Sequence, residues 1–374
     1  MKVMSRHLSA TLDNLTKSVN INPDADLVLV HGNPFSLEEP MLLDTFTKSF
    51  PNACVAGCSS DGVFFNGQSY ENSVIYTVID FNDTEVRQAR INLIEDEYDE
   101  YASGKMLADQ LIRDDLISLI IFSEGTKLDC HLFLQGVREV LGSTVAIWGG
   151  LASDKTGFDY TVVMDSEGVY DDAVVAVGLY GKRLVVDAAL SSQEKTGVEI
   201  NITRAEDNII YEINEQPAAK VLNSILHDHY GASMSEKNRF PIIILDPQTR
   251  KPMYSRVIYH EDKEYNSLYS VASVTEGPAY VVCMTETKDN LADAAQTCAT
   301  LKTDAAEFVL VASCAGRKAA MNTDWINESA LIQKSIGDAP SFGFYAYGEI
   351  GKNLIDNPSL LHNHTLSMMT LYET

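Results

Sequence analysis

The chain has 374 residues, of which 45% are apolar, so it is long enough for two domains and apolar enough to fold. Its 53 acidic and 28 basic residues give a formal net charge of −25, which disfavours binding to nucleic acid and to anionic membranes. The sequence contains no apolar run long enough for a signal peptide or a membrane span, and we therefore expect a cytoplasmic protein.

Short apolar runs alternate with helical patterns through the first half of the chain. The predicted strands of this half are at 27–30, 73–81, 86–94 and 119–122. The predicted helices are at 36–50, 100–113 and 132–141, the first of them with a capping box of Ser36 and Glu39. Two β-rich runs at 161–165 and 173–179 are joined through Ser166-Glu167-Gly168, which predicts a hairpin and therefore antiparallel pairing.

The polar stretch at 191–216 separates the two halves, and Pro217 then begins a helix. We therefore expect two domains, at 25–200 and 201–374. The second half predicts strands at 240–245 and 308–313 and helices at 291–305 and 326–336. Together the elements predict an α+β fold of two related modules, with mixed, largely antiparallel sheets covered by helices.

Three segments share one pattern, in which a helix end is followed by a short apolar strand and then by glycine. They are residues 50–58, 141–150 and 336–344. This similarity suggests a duplicated architecture.

Several motifs in the chain resemble those of the FIST family of intracellular signal-transduction proteins. The N-terminal motifs are Gly57-Cys58-Ser59-Ser60-Asp61-Gly62-Val63-Phe64 and Trp148-Gly149-Gly150-Leu151-Ala152-Ser153-Asp154. The C-terminal motifs are Ser313-Cys314-Ala315-Gly316-Arg317, Gly343-Phe344-Tyr345-Ala346-Tyr347-Gly348-Glu349-Ile350-Gly351 and His362-Asn363-His364-Thr365. The resemblance spans 25–370 and departs from the family at 191–199, where a glycine and aromatic cluster is expected.

The resemblance implies a sensor that binds a small ligand and regulates a partner protein. Family members of this length include the nitric-oxide sensing proteins called NosP, which bind non-covalent haem and control a histidine kinase or a cyclic-di-GMP enzyme, that is, a diguanylate cyclase or phosphodiesterase. Other members are thought to bind small metabolites such as amino acids. The resemblance thus implies a haem-linked sensor or, alternatively, a metabolite sensor without haem.

Five residues of the motifs are candidates for ligand binding. Gly149 and Gly150 follow an apolar strand, where glycine permits either a close ligand or a structural turn. Arg317 suits a carboxylate or a haem propionate, unless it forms an internal ion pair with Glu349. Tyr347 lies two residues from Tyr345, so both rings face one side of a strand and line a pocket or pack in a core.

Histidines decide whether haem can bind, because non-covalent haem usually needs an axial imidazole. His362 and His364 lie in the C-terminal motif, and His260 lies in the β-rich second half. A hydrogen-bonded structural role is the alternative for each of them.

An enzymatic interpretation depends on Cys58 or Cys314 as the nucleophile of a cysteine-dependent hydrolase. Neither residue has a base at motif spacing, and no nucleotide-binding pattern is present. Cys54 and Cys58 are spaced as a pair of metal ligands could be, but no second pair completes a site, and buried core thiols are the alternative. We therefore expect no enzymatic activity, and the sensor is the leading hypothesis.

Overall fold

The computed structural model describes residues 1–8, 19–93, 99–155, 157–191, 197–283, 287–302, 305–351 and 361–374. The strands, in chain order, are β1 (Lys2–Leu8), β2 (Leu27–Gly32), β3 (Cys54–Ser59), β4 (Val63–Phe65), β5 (Gln68–Tyr70), β6 (Val74–Asp80), β7 (Glu85–Asn92), β8 (Leu116–Ser123), β9 (Ala146–Leu151), β10 (Val163–Met164), β11 (Val169–Tyr170), β12 (Ala173–Tyr180), β13 (Leu184–Leu190), β14 (Val198–Glu206), β15 (Ile209–Ile213), β16 (Gln216–Pro217), β17 (Ile242–Leu245), β18 (Pro252–Arg256), β19 (Ile258–Asp262), β20 (Ser267–Ser270), β21 (Gly277–Val281), β22 (Phe308–Cys314), β23 (Ser341–Ala346), β24 (Glu349–Ile350), β25 (Leu361–His362) and β26 (Leu366–Glu373).

The helices cover the outer faces of the sheets. They are α1 (Pro34–Leu37), α2 (Pro40–Ser49), α3 (Glu100–Leu111), α4 (Cys130–Leu141), α5 (Ala218–Tyr230), α6 (Thr287–Thr300), α7 (Ala315–Met321) and α8 (Ile326–Ile336), with 3-10 turns at Met234–Arg239 and Asn322–Trp325. No helix in the described part of the chain is both long and apolar enough to span a bilayer.

The strands form four sheets. Sheet 1 has the order β1-β6-β2-β3-β10-β11, sheet 2 the order β7-β12-β8-β9-β24-β25, and sheet 3 the order β13-β26-β22-β23-β4-β5. Sheet 4 has the order β18-β17-β21-β14-β15-β20-β19, with β16 paired to β15. The pairs β2/β3, β8/β9 and β22/β23 are parallel, and the other pairs among the described residues are antiparallel.

Sheets 1, 2 and 3 are built alike, because the chain contains three consecutive repeats at 2–80, 85–180 and 184–373. Each repeat has an edge strand, a parallel strand–helix–strand unit, a hairpin, and a long strand that returns antiparallel to the first strand of that unit. Sheet 4 with α5 lies at 197–283 and is an insertion in the third repeat, directly after its edge strand β13.

The hairpin of each repeat leaves its own sheet and joins the sheet of another repeat. Hairpin β4-β5 of repeat 1 pairs with β23 of repeat 3, and β10-β11 of repeat 2 pairs with β3 of repeat 1. Hairpin β24-β25 of repeat 3 pairs with β9 of repeat 2, which closes the cycle. We call this arrangement the strand exchange. The three sheets meet in one central core to which every repeat contributes apolar side chains.

Glycine occupies the same position in the second parallel strand of each repeat. Gly57, Gly149 and Gly343 lie opposite Val30, Ile121 and Val311 in the three parallel pairs. A Cβ atom on Gly149 would lie 1.8 Å from the Ile121 carbonyl oxygen, so these strands need glycine to approach one another. The three similar segments in the sequence are therefore structural equivalents, and the repeat is threefold where the sequence suggested duplication.

The α+β class, with mixed and largely antiparallel sheets covered by helices, is confirmed. Most predicted elements are present within a few residues of their expected ends. The division at residue 200 stays a prediction. Sheets 2 and 3 both contain strands from either side of it, because the strand exchange joins distant parts of the chain.

Two local predictions are wrong. Residues 36–50 form two helices rather than one, since Pro40 begins the second, and the cap of the first is Asn33, whose side chain accepts from the Ser36 amide. The predicted hairpin turn at 166–168 exists, but it joins β10 to β11. The strand beginning at Ala173 pairs with β7 and β8 instead.

Parts of several sequence predictions fall outside the described residues. They are the departure from the family pattern at 192–196, the end of the predicted strand at 94, and the predicted helical residues 303–304.

Candidate functional site

A cleft of about 510 Å³ lies between sheet 4 and the repeat core, and we call it the inter-sheet cleft. Its core wall includes Glu100 at the start of α3, the loop from Gly125 to Asp129 before α4, Phe158, and Tyr347. Its other wall is formed by sheet 4 and includes Asp207 and Tyr259. A volume of this size is in the range that accommodates small organic ligands.

Aromatic rings line one side of the inter-sheet cleft. The rings of Phe158 and Tyr347 stack with centroids 4.1 Å apart, and the ring of Tyr259 lies 6.3 Å from that of Phe158 across the cleft. Phe158 and Tyr259 are 48% and 46% exposed, whereas most large apolar side chains are buried. Aromatic surface left open to a concave site is available to a ligand.

The backbone around Phe158 is held in an unusual conformation. Phe158 has a φ of +67°, which non-glycine residues rarely adopt. The Asp154 carboxylate accepts hydrogen bonds from the amides of Gly157, Phe158, Asp159 and Tyr160, at 3.1 to 3.3 Å. The Phe158 amide also donates to the Tyr347 hydroxyl, which in turn donates to Asp154. This network fixes the exposed Phe158 ring against Tyr347.

Two charged residues of the cleft already have partners within the protein. Asp129 accepts from the amides of His131 and Leu132 at the start of α4, and its other oxygen accepts from the amide and hydroxyl of Ser273. Asp129 thereby ties the repeat core to sheet 4. The Lys127 ammonium lies 3.2 Å from the Asp171 carboxylate.

A buried group of basic side chains lies behind the cleft wall. The Arg256 guanidinium is fully buried and donates to the carbonyl oxygens of Ser273, Ser255 and Leu361, each at 3.0 Å. Burial and then the neighbouring Arg256 charge lower the pKa values of His131 and His362 to about 3, so both imidazoles are neutral near pH 7. Arg256 lies on β18 of sheet 4, and its hydrogen bond to the Leu361 carbonyl oxygen of β25 joins the insertion to the repeat core.

The predicted glycine site is a packing site. Gly149 and Gly150 lie in β9, where they pair with Ile350 and Glu349 of β24. A Cβ atom on Gly150 would lie 3.0 Å from both Ala346 and Phe344. These glycines allow sheets to meet in the core and are not among the residues that line the inter-sheet cleft.

Glu349 is also buried behind the cleft rather than in it. Its carboxylate accepts from the amide and hydroxyl of Thr365, at 2.9 and 2.7 Å. Burial raises the pKa of Glu349 to about 8, and this effect outweighs the opposite effects of the Thr365 bonds and of the neighbouring Arg317 and Cys314. Glu349 therefore connects β24 to the histidine motif.

Arg317 lies away from the cleft, and its guanidinium already has partners within the protein. It donates to the Glu328 carboxylate at 2.8 and 3.2 Å, to Asp293 at 2.5 Å, and to the Asn290 carbonyl at 2.9 Å. Burial alone would lower the pKa of Arg317, but the two carboxylates raise it above its ordinary value. The internal ion pair considered from the sequence thus exists, with Glu328 and Asp293 as partners instead of Glu349.

The three candidate haem ligands are not gathered around the cleft. Leu361 and Asn363 line it, whereas His362 between them faces Arg256 and His131. The His364 Nε2 atom lies 3.2 Å from the Asn238 carbonyl oxygen, and His260 is exposed on β19. No histidine, cysteine or methionine is among the described residues lining the cleft. The cleft in this structure therefore does not fit haem held by His260, His362 or His364.

The two candidate cysteine nucleophiles are buried. Burial raises the pKa of the Cys58 thiol well above its usual value, and burial followed by the Glu349 charge does the same for Cys314. The His31 Nδ1 atom lies 3.5 Å from the Cys58 sulfur, but the pKa of His31 is itself lowered to about 3 by burial. Neither thiol lines the inter-sheet cleft.

Sequence reasoning found Tyr347 but missed the side chains that surround it. Phe158 follows the Ser153-Asp154 motif in the chain, so an aromatic residue beside a family motif was a usable signal. Asp207 and Tyr259 belong to sheet 4, and only the folded insertion brings them opposite Phe158.

The chain belongs to the FIST family. The model of the FIST N domain matches residues 26–216, and that of the FIST C domain matches residues 218–352. FIST domains are signal-transduction sensor modules that bind small ligands. The family resemblance carried by the sequence motifs is thereby confirmed.

Individual relatives add little to this assignment. The uncharacterized protein MJ1623 of Methanocaldococcus jannaschii is 25% identical in an alignment of 222 residues, which covers 54% of this chain and 40% of that protein. The chain thus matches less than half the length of this relative. A cyanuric acid hydrolase structure from A. caulinodans covers 100% of this chain and 98% of its own, with 9% identity and a TM-score of 0.40. A second cyanuric acid hydrolase structure covers 64% and 80%, with 11% identity and a TM-score of 0.28. Likeness at this level supports no statement about activity.

Proposed function

We propose that the protein is a small-molecule sensor, that its ligand binds in the inter-sheet cleft, and that a partner protein reads the bound state. The observation that carries this proposal is the stacked and half-exposed Phe158 ring on one wall of a cleft of about 510 Å³. Binding of a small ligand is what the FIST family provides.

The position of the cleft suggests how a bound ligand changes the protein. One wall belongs to the repeat core and the other to sheet 4, and a ligand that contacts both walls stabilises the arrangement in which they are close. A shift of sheet 4 against the core then alters the outer surface that a partner contacts. The proposed partner is a histidine kinase or a cyclic-di-GMP enzyme in the cytoplasm, and a gene for either beside this one would support it.

Removing an aromatic ring from the cleft is expected to weaken ligand binding without unfolding the protein. In a thermal-shift screen of small metabolites, a compound that raises the melting temperature of the wild type is expected to give a clearly smaller shift with Phe158→Ala or Tyr259→Ala. Loss of one stacked ring removes on the order of 1 kcal/mol or more of binding free energy.

Tyr265→Ala is the matched control, because Tyr265 is a 69% exposed tyrosine that follows β19 and does not line the cleft. It is expected to respond to the ligand as the wild type does. A compound that stabilises all four proteins equally would place the binding site elsewhere and contradict the proposal.

Sensing of nitric oxide through haem is the narrower form of this proposal. The neutral imidazole of His362 suits a metal ligand chemically, but it faces Arg256 and His131 instead of the cleft. We therefore derive no step of the mechanism from haem, and a metabolite sensor without haem is the form that the cleft favours.

Cysteine-dependent hydrolysis is expected to be absent. We predict no turnover of activated esters or thioesters above the uncatalysed rate, because a buried thiol with a raised pKa is a poor nucleophile. The assay compares the wild type with Cys58→Ser and Cys314→Ser. Turnover that disappears in either variant would establish a hydrolase and overturn this prediction.

A further inference from the structure

Two carboxylates of the inter-sheet cleft have no partner among the described residues. Glu100 lies on the core wall at the first residue of α3, and Asp207 lies on the wall of sheet 4 in the turn between β14 and β15. Neither side chain takes part in an ion pair or hydrogen bond with a described residue. Each wall therefore carries one carboxylate that has no partner among the described side chains.

The other charges of the cleft do not offset these two. Lys127 is the one cation among the described lining residues, and it is already paired with Asp171. The carboxylate of Asp129 already accepts hydrogen bonds from amides at the start of α4 and from Ser273. The unsatisfied charge of the cleft is thus negative, in a protein whose formal net charge of −25 already concentrates cations at its surface.

Aromatic faces lie in the same cleft as the free carboxylates. The exposed rings of Phe158 and Tyr259 offer the negative face of a π-system, which attracts an ammonium group. Carboxylates together with aromatic faces form a site for a cation that carries an apolar body, because the charge meets the carboxylates and the body covers the rings. An anionic ligand would meet repulsion from both walls.

We propose that the inter-sheet cleft binds an organic ammonium ion, a compound with a protonated or quaternary amine and an aromatic or aliphatic body. This inference rests on the proposed sensor function and names the chemical class of its ligand. Because Glu100 and Asp207 lie on opposite walls, an ammonium ion between them draws sheet 4 toward the core, and ligand charge is thereby linked to the proposed movement.

Three probes of similar size and different charge test this inference by calorimetry. They are 2-phenylethylammonium, 2-phenylethanol and 3-phenylpropionate. The ammonium ion is expected to bind about tenfold more tightly than the neutral alcohol, and the carboxylate more weakly than either. Added salt is expected to reduce the preference for the ammonium ion, since the carboxylates are open to solvent.

Neutral variants show whether the two carboxylates cause the preference. The double variant Glu100→Gln/Asp207→Asn is expected to remove the tenfold difference between ammonium ion and alcohol. Glu39→Gln/Asp338→Asn changes the net charge equally at exposed positions outside the cleft, and it is expected to keep the difference.

The outcomes separate this inference from the proposed function. If the alcohol or the carboxylate binds as tightly as the ammonium ion and Phe158→Ala weakens that binding, the cation class is wrong and the ligand cleft stands. If none of the probes binds, or if the ammonium ion binds both Glu100→Gln/Asp207→Asn and Phe158→Ala as tightly as it binds the wild type, the inference is overturned. A screened metabolite that stabilises Phe158→Ala, Tyr259→Ala and Tyr265→Ala as much as the wild type, in contrast, would contradict the proposed ligand cleft itself.

Discussion

Replacing Arg317 with methionine is expected to lower the free energy of unfolding by about 3 to 5 kcal/mol. The fully buried guanidinium bonds Glu328 and Asp293, and Glu328 is itself fully buried. Removing the cation leaves the Glu328 carboxylate with the neutral hydroxyls of Ser313 and Tyr345 as its only donors among the described residues. Urea unfolding followed by circular dichroism measures the loss.

Two further variants show whether the buried charge causes the loss. Arg183→Met removes an exposed arginine that pairs with Asp83, and it is expected to change stability by less than about 1 kcal/mol. Arg317→Met/Glu328→Gln is expected to be more stable than Arg317→Met alone, because the amide carries no uncompensated charge. Equal stability of Arg317→Met and Arg183→Met would contradict a structural role for the ion pair.

Acid is expected to unfold the protein through three buried histidines, His31, His131 and His362. Each has a pKa of about 3 in the folded state, against 6.5 for an ordinary imidazole. Above pH 6.5 both states are neutral and the histidines have no effect. As the pH falls below 6.5, only the unfolded state binds the protons, and the free energy of unfolding decreases by about 1 kcal/mol per histidine between pH 6.5 and pH 5.5.

Glu349 opposes this trend, because its folded-state pKa is raised to about 8. It binds its proton in the folded state first, so its contribution to stability increases as the pH falls from about 8 toward 4.5. The three histidines outnumber it, and the net loss of stability below pH 6.5 remains.

The difference between a histidine variant and the wild type isolates the effect. His31→Phe keeps a ring that stacks on Phe344 and removes one titrating group, so its stability is expected to fall less steeply between pH 6.5 and about pH 5.5. His229→Gln changes an exposed histidine and serves as control, with a curve expected to be parallel to that of the wild type. A curve for His31→Phe that is also parallel would refute a buried neutral His31.

Local elements of the fold were predictable from the sequence, whereas the sheets were not. The run at 27–30 is apolar at every position because both faces of β2 are buried, and such runs identify strands directly. The pairing of β4 with β23 has no local signal, because its partners are far apart in the chain. Pro40 divided one predicted helix in two, since a Pro at the first helical position starts a new helix.

The candidate site was predictable only where motifs contribute to it. Tyr347 and Asn363 belong to motifs and line the cleft. Arg317 and Glu349 also belong to motifs, but their roles are structural. Arg317 pairs with the buried carboxylate of Glu328, and Glu349 accepts a hydrogen bond from the Thr365 hydroxyl. Sequence spacing does not distinguish a charge that awaits a ligand from one that has an internal partner. Asp207 carried no signal, because its neighbours in the cleft come from another part of the fold.

The strand exchange has a consequence for how the chain matures on the ribosome. The hairpin β4-β5 is synthesised early, but its partner strand β23 emerges only after repeat 2 and the whole insertion. Until then the hairpin β4-β5 lacks its partner strand. In the same way, strand β9 of repeat 2 waits for β24. Unpaired strand edges of this kind favour aggregation, so we expect the nascent chain to be prone to aggregate until its last repeat is released. Sheet 4 takes no part in the strand exchange, because all of its strands come from the insertion. Its strands can therefore pair before the strand exchange is complete.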